Sequence, residues 1–251
     1  VTLPSHGNPV PAQLQALGPY FALDLHDPDE PPQPPWRPMG ELVTDASVLA
    51  DRIEAVRAFL AAGGGQAADA VETRVAASVV HLGLAARILS PALALAVLDG
   101  CAGPLTLAGL RWQPQLGSAF PLSRARDTVT RSLGTEADVA DALGSGLFDG
   151  AIAELATATA AFGVSEHILR GNAASGLNGA ATVLAAARPE HAPRVRAVLA
   201  RVLRHPALAG AGAVVDGSFR RRSCCLIYRA APGRAGALCG DCVLTGRPGR
   251  R

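Results

Sequence analysis

One stretch limits the fold more than any other. From Gln66 to Leu89, Val71, Val75, Val79, Leu82 and Leu89 recur every three or four residues, and Val80, Leu84 and Ile88 form a neighbouring stripe. A helix that is apolar on more than one side must be enclosed by other elements. The composition points the same way: hydrophobic residues make up 49% of the chain but aromatics only 4%, so the interior is built from alanine, leucine and valine. Alanine has the highest helix propensity, whereas strands draw on β-branched and aromatic side chains. These features predict a mainly α fold of closely packed helices.

The rest of the chain supplies the partners. Thr44-Asp45 reads as a helix start, followed by Val48, Leu49, Ile53, Val56 and Leu60 at helical spacing and closed by Gly63-Gly64-Gly65. Ser90-Pro91 reads as an N-cap with proline in the first turn, opening a separate short helix to Leu98. That break, with His81 and Arg87, leaves no apolar run of the roughly 20 residues a bilayer crossing needs. Upstream, a short helix is predicted near Pro11–Leu23, then a proline-rich extended connection, DLHDPDEPPQPPWRPMGE. Leu107–Trp112 and Ala119–Leu122 suggest a small β-hairpin. Helices follow in GLFDGAIAELATATAAFG, in the segment opened by Ser165-Glu166, and between Pro189 and Pro206. Gly171, Gly176 and Gly179 within the middle one suggest close approach of another backbone, since glycine in a helix costs about 1 kcal/mol against alanine.

The last thirty-odd residues depart from this helical pattern. Four of the five cysteines lie there, Cys224, Cys225, Cys239 and Cys242, in the spacing C-C-x13-C-x2-C. Four thiolates complete two tetrahedral irons bridged by two sulfides, and they also complete one structural zinc site. The adjacent pair counts against zinc, because neighbouring residues in extended chain point apart while both thiolates of a zinc knuckle must face one ion. A two-iron rhomb offers two corners to diverging thiolates. Disulfides are the third alternative, weakened by the strain of bridging adjacent residues. Cys239-Gly-Asp-Cys242 is a two-residue chelate loop in which Gly240 would let the backbone turn tightly. Cys101 has no local partner in sequence and reads as a small apolar residue.

HPALAGAGAVVDGSFRRRSCCLIYR followed by LCGDCVL resembles the C-terminal signature of the ferric-siderophore reductases, the FhuF-like ferric iron reductases. VVHLGLAARILSPALALAVL and HILRGNAASGLNGA resemble the helical body of the same family. The spacer between Cys225 and Cys239 is longer here than in the family pattern; the excess falls in AAPGRAGAL, a flexible segment where added length costs little loop entropy. The resemblance implies a [2Fe-2S] cluster on Cys224, Cys225, Cys239 and Cys242, one-electron reduction of siderophore-bound Fe(III), often of hydroxamate type, and release of Fe(II). The implied organisation is an N-terminal helix and Pro-rich connection (1–43), a helical body (44–215) and a C-terminal [2Fe-2S]-binding segment (216–251).

Such a mechanism needs no general base or covalent nucleophile, so no catalytic residue is expected beyond the cluster ligands. Hydroxamate oxygens hold ferric iron better than ferrous, and one electron loosens the complex. Arg220, Arg221, Arg222 and Arg229 would favour the reduced cluster and attract an anionic substrate or redox partner, whereas Asp241 would oppose reduction. All 23 basic residues are arginine, so the charge carries meaning and the choice of arginine over lysine does not. His81 and His167 read as satisfied core histidines, Trp36 and Trp112 as packing anchors, and Tyr228 as shield or packing. No glycine-rich phosphate loop follows a strand, which implies a separate electron donor rather than a bound nicotinamide or flavin.

A formal charge of +2 does not suggest a nucleic-acid partner. The start of the sequence has no secretory pattern, so the expected location is cytoplasmic, without a transmembrane segment and with at most peripheral membrane contact. Two alternatives stand beside the reductase reading. One is a zinc-binding helical protein that contacts nucleic acid through Arg220–Arg222 and Arg247, Arg250 and Arg251. The other is an iron or redox sensor carrying the same cluster without turnover.

Overall fold

The computed structural model describes residues 10–116, 119–126, 130–131, 135–215 and 217–245. The Arg247, Arg250 and Arg251 tail lies outside them.

The fold is mainly α. At its centre is α4 (Thr73–Leu98), a single helix of 26 residues with Pro91 inside it, not the two helices that Ser90-Pro91 suggested. Proline removes one i→i−4 bond and normally costs about 3 kcal/mol in a helix interior. The helix continues because it is enclosed: every residue from Ile88 to Val97 is buried, and Ser90 Oγ donates to the Ala86 carbonyl at 2.7 Å. By length and composition α4 could cross a membrane, but 78% of that apolar window is buried against the rest of the protein. Arg87, which in the sequence looked like an interruption, is buried and donates from Nε to the Phe120 carbonyl (2.8 Å), from Nη1 to that of Tyr20 (2.9 Å) and from Nη2 to that of Ala22. It thereby ties two distant loops to the central helix.

Before α4 come α1 (Val10–Gln15), β1 (Asp24–His26), β2 (Arg37–Pro38), α2 (Glu41–Thr44) and α3 (Ala46–Gly63). The first helix ends at Gln15, earlier than the apolar pattern implied. Gly18 adopts φ +106 and turns the chain, and Leu17, Phe21 and Leu23 reach the core from irregular backbone. Asp45 caps α3, accepting from the Ser47 amide at 2.9 Å.

The predicted hairpin is present as β4 (Leu110–Trp112) and β5 (Leu122–Ala125), paired antiparallel with Leu110 opposite Arg124 and Trp112 opposite Leu122. Leu107–Gly109 is a 3₁₀ turn rather than strand, and the second strand starts at Leu122, after most of the Ala119–Leu122 stretch expected to form it. The hairpin is the middle of a four-stranded sheet ordered β1-β5-β4-β2, with β1 parallel to β5. Its outer strands come from the segment read as a plain connection, because two- and three-residue strands carry no period of their own.

The second half contributes β3 (Cys101–Ala102) paired with β6 (Thr130–Arg131), then α5 (Glu136–Leu143), α6 (Ala151–Ala160), α7 (Glu166–Ala187) and α8 (Ala192–Val202). A hairpin of β7 (Gly212–Val215) and β8 (Ser218–Arg221) follows. Helix α7 packs along α4. A Cβ on Gly176 would lie 3.1 Å from the Ala86 Cα, so glycine there allows the two backbones to close together. Gly179 faces open space, and for it the close-approach expectation does not hold. One hydrophobic core runs from Leu14 to Phe219 and draws on both halves.

Candidate metal centre

The hairpin β7/β8 delivers the cysteines to the α4/α7 pair. Phe219 anchors it in the core, and the Arg222 amide donates to the Ala211 carbonyl at 2.9 Å. The Arg221 amide donates to the carbonyl of Asp241 at 2.9 Å, which joins the first cysteine pair's strand to the chelate loop of the second. Both helices hold this assembly by side chains: Ser78 of α4 donates to the Cys225 carbonyl at 2.8 Å, and Ser175 of α7 donates to Asp241 Oδ2 at 2.5 Å. The sequence carried an unread signal for the hairpin, Asp216-Gly217 between Val214-Val215 and Phe219, a common two-residue hairpin turn.

The four sulfurs lie close together. Cys225 Sγ is 2.9 Å from Cys239 Sγ, and Cys242 Sγ is 3.7 Å from Cys224 Sγ; both separations exceed the roughly 2.05 Å of a disulfide. The vicinal thiols also hydrogen-bond to each other, so the four sulfurs form one connected cluster, and the left-handed φ of +70 at Leu226 turns the chain immediately after Cys225. That turn aims the Leu226 amide at Cys224 Sγ (3.3 Å), and the Leu244 amide points at Cys242 Sγ (3.5 Å). Amide donors of this kind stabilise thiolate over thiol. Cys224 and Cys239 donate to Cys225, which lowers the Cys225 pKa despite burial; the donors are raised by giving that bond and by burial. Cys225 and Cys242 are buried, while Cys224 and Cys239 are partly exposed.

Among the described residues, no three His, Cys, Asp or Glu side chains surround a single metal position. Four thiols this close together meet the donor count of a two-iron group, as they do that of one tetrahedral zinc. The Cys242 amide donates to the Cys239 carbonyl at 3.1 Å, so the chelate loop turns tightly as expected, but Gly240 does not adopt positive φ and a Cβ there would meet nothing within 4 Å, so the turn does not depend on glycine.

Behind the sulfurs lies a buried polar network that sequence reading did not assemble. Arg221 is 2% exposed; its Nη2 donates to Asn172 Oδ1 at 2.6 Å and lies 3.5 Å from Ser223 Oγ. Asn172 Nδ2 in turn donates to the Ser78 carbonyl at 3.0 Å. Gly171 makes room for this layer, since a Cβ there would come within 2.0 Å of Ser223 Oγ. Nε and Nη1 of Arg221 have no hydrogen-bond partner, and no described carboxylate pairs with it. Enclosing an uncompensated guanidinium costs several kcal/mol. The nearby thiols are the available counter-charge: Arg221 favours ionised Cys225 and Cys239. The donor set and the orphaned cation together fit an anionic four-thiolate group.

His81 faces the same layer. It is fully buried with neither ring nitrogen partnered, and burial, then the charge of Arg221, pushes its pKa down to about 4. It is therefore not the satisfied core histidine the sequence suggested. His167 is exposed, with Nε2 3.1 Å from the Arg222 carbonyl.

The four arginines differ in setting. Arg220 is exposed and donates to Thr245 Oγ1 at 2.7 Å, and Arg222 is exposed. Arg221 is sealed from solvent, and Arg229 is engaged with Glu72 at 2.5 Å. Glu72 also meets Arg234 at 3.1 Å, and Gln66 donates to the Ala230 carbonyl at 2.9 Å. The spacer read as a flexible segment is thus two 3₁₀ turns, Ile227–Ala230 and Pro232–Arg234, docked on α3 and the start of α4 with Ala230 packed against Ala61, Val71 and Val75. Tyr228 is half-buried there, its carbonyl accepting from the Gly236 amide. Trp112 is core, edge-on to Phe120 and donating to Glu41, and Trp36 is half-buried. Cys101 is buried in β3, not bridged to another cysteine.

Residues 221–244 match the family model described as the FhuF 2Fe-2S C-terminal domain. The matched span contains all four cysteines and Arg221, and it identifies the group this segment binds as a [2Fe-2S] cluster. No curated protein and no solved structure matches the chain.

Proposed function

We propose that the chain is a ferric-siderophore reductase in which Cys224, Cys225, Cys239 and Cys242 ligate the [2Fe-2S] cluster. The observation that carries the reading is the clustering of four sulfurs inside the segment that matches a FhuF 2Fe-2S domain. When bound, the cluster supplies one electron at a time to Fe(III) held by a siderophore.

The chain's own residues do the rest. Ser78 and Ser175 hold the two cysteine strands against α4 and α7, and the Leu226 and Leu244 amides support thiolate charge. Cys224 and Cys239 lie at the solvent side, where an electron can pass to a bound complex or arrive from a separate donor. Arg220 and Arg222, exposed and close in sequence to Cys224, are available to an anionic siderophore or donor surface. A hydroxamate siderophore fits best, because its hard oxygens lose most affinity on reduction of the metal. A cytoplasmic location accords with release of Fe(II) and with reduced thiols.

Protein purified without oxygen will be red-brown, contain two irons and two sulfides per chain, and bleach with dithionite. In anaerobic stopped-flow, the reduced protein will be reoxidised by a ferric hydroxamate siderophore, with Fe(II) captured by a ferrous chelator. Colourless protein with one zinc per chain refutes the proposal. A bleachable cluster that ferric siderophores fail to reoxidise assigns the chain to sensing instead.

A further inference from the structure

A groove of about 270 Å³ opens between the end of α3 and the spacer that separates Cys225 from Cys239. Leu60 and Gly63 line it from α3, and Ile227, Ala230, Ala231 and Ala237 line it from the spacer. Among the described residues, none that lines it carries an ionisable side chain. The arginines of the spacer, Arg229 and Arg234, are both held by Glu72. The spacer is fixed in place, since Ala230 packs against Ala61, Val71 and Val75 and its carbonyl accepts from Gln66 at 2.9 Å. It is also tied to the cysteines. The Ile227 amide donates to the Cys225 sulfur, and Ala237 is two residues from the partly exposed Cys239, a Cα separation of at most about 7.6 Å.

Resting on the proposed reduction of siderophore-bound iron, we infer that this groove is a subsite for the uncharged methylene arm of a hydroxamate siderophore. It selects complexes whose hydroxamates are joined by polymethylene chains over complexes joined by polar peptide. Size excludes a helix of a partner protein: at about 30 Å³ for each water-sized group the groove takes about nine of them, whereas a helix is roughly 10 Å across. Chemistry selects the arm. Methylene groups gain by leaving water for an apolar lining, while a charged or strongly hydrogen-bonding arm would lose its hydration without replacement. Five of the eight lining residues come from the spacer, the segment that is longer here than in the ferric-siderophore reductase pattern, so the added length is where the subsite is built. An arm seated there tethers the ferric complex beside the segment that carries Cys225 and Cys239 and takes no part in electron transfer itself.

The test titrates gallium(III) complexes, which the cluster does not reduce, into cluster-loaded protein purified without oxygen, with binding read by calorimetry. A gallium hydroxamate complex with polymethylene links will bind about tenfold or more tighter than one whose links are a serine-rich peptide. Gly63→Leu and Ala237→Leu put a side chain into the groove; a Cβ on Gly63 meets nothing within 4 Å, and Ala237 is exposed. Each will weaken the polymethylene complex about tenfold or more, because every methylene left in water forfeits about fourfold in affinity. The peptide-linked complex will change less than about threefold. Gly179→Leu, open to solvent on α7, will leave both unchanged. Iron and sulfide content shows which filled variant is loaded, and either one suffices. Equal wild-type affinity for the two complexes, or a loaded filled variant that keeps the polymethylene complex or loses both alike, overturns the subsite. The reductase reading then stands if the ferric complexes still reoxidise the reduced wild type. Reduced wild type that neither ferric complex reoxidises overturns the reductase reading, whatever gallium binding shows.

Discussion

Arg221 and Asn172 meet at 2.6 Å in a layer closed to solvent, the guanidinium from the cysteine segment and the carboxamide from the middle of α7. The contact joins the metal-binding end of the chain to its helical body, and Asn172 passes it on to Ser78 of α4 at 3.1 Å.

Removing the carboxamide leaves a buried cation with one acceptor fewer. Asn172→Ala is expected to destabilise the protein by roughly 2–4 kcal/mol, more than an average core polar truncation because the bond is charge-assisted. Urea unfolding followed by circular dichroism measures it. A loss below about 1 kcal/mol would show that Arg221 is compensated elsewhere.

Two glycines of α7 should respond in opposite senses. Gly171→Ala would drive a Cβ into Ser223 and Arg221, so the cysteine segment must shift and iron content per chain should fall by more than half. Gly179→Ala meets open space and should be neutral or stabilising by up to about 1 kcal/mol through helix propensity. Iron and sulfide analysis with thermal melts of the two variants checks the pair.

The unpartnered imidazole of His81 predicts a pH dependence. Its folded pKa, about 4, lies below its ordinary value of 6.5, so the unfolded chain binds the proton more readily. The stabilisation is therefore fully present above about pH 6.5 and is lost as pH falls toward 4, up to roughly 3 kcal/mol. In metal-free protein, unfolding free energy measured across that window should decline in wild type and decline less in His81→Gln. Parallel curves would sink the prediction.

The docked spacer gives a fourth test. Glu72 gathers Arg229 and Arg234, so Glu72→Gln should release the turn at Pro232–Arg234. Trypsin cleavage after Arg234 is expected to quicken several-fold, with global stability changed by no more than about 1 kcal/mol, since the carboxylate is partly exposed. Mass spectrometry of early digestion products reads it.

Much of this protein was legible from sequence, for reasons that are local. Valine and leucine at helical spacing specify enclosed helices wherever they lie, and Asp45 caps a helix by its own side chain. The spacing of Cys224, Cys225, Cys239 and Cys242 announced a metal segment because thiolate number and proximity are properties of the chain itself.

Other features were decided only when distant segments met. Pro91 should break a helix by its own chemistry, and burial of the surrounding turns overrode it. Strands of two or three residues exist only because β4 and β5 offer them partners. The run Arg220-Arg221-Arg222 reads as one basic patch, yet alternation along β8 buries Arg221 and leaves Arg220 and Arg222 outside. Four thiols close together were written in the last stretch of sequence. Which arginine is buried near them was decided by packing on α4 and α7, and it matters because burial strengthens an electrostatic interaction that solvent would otherwise screen.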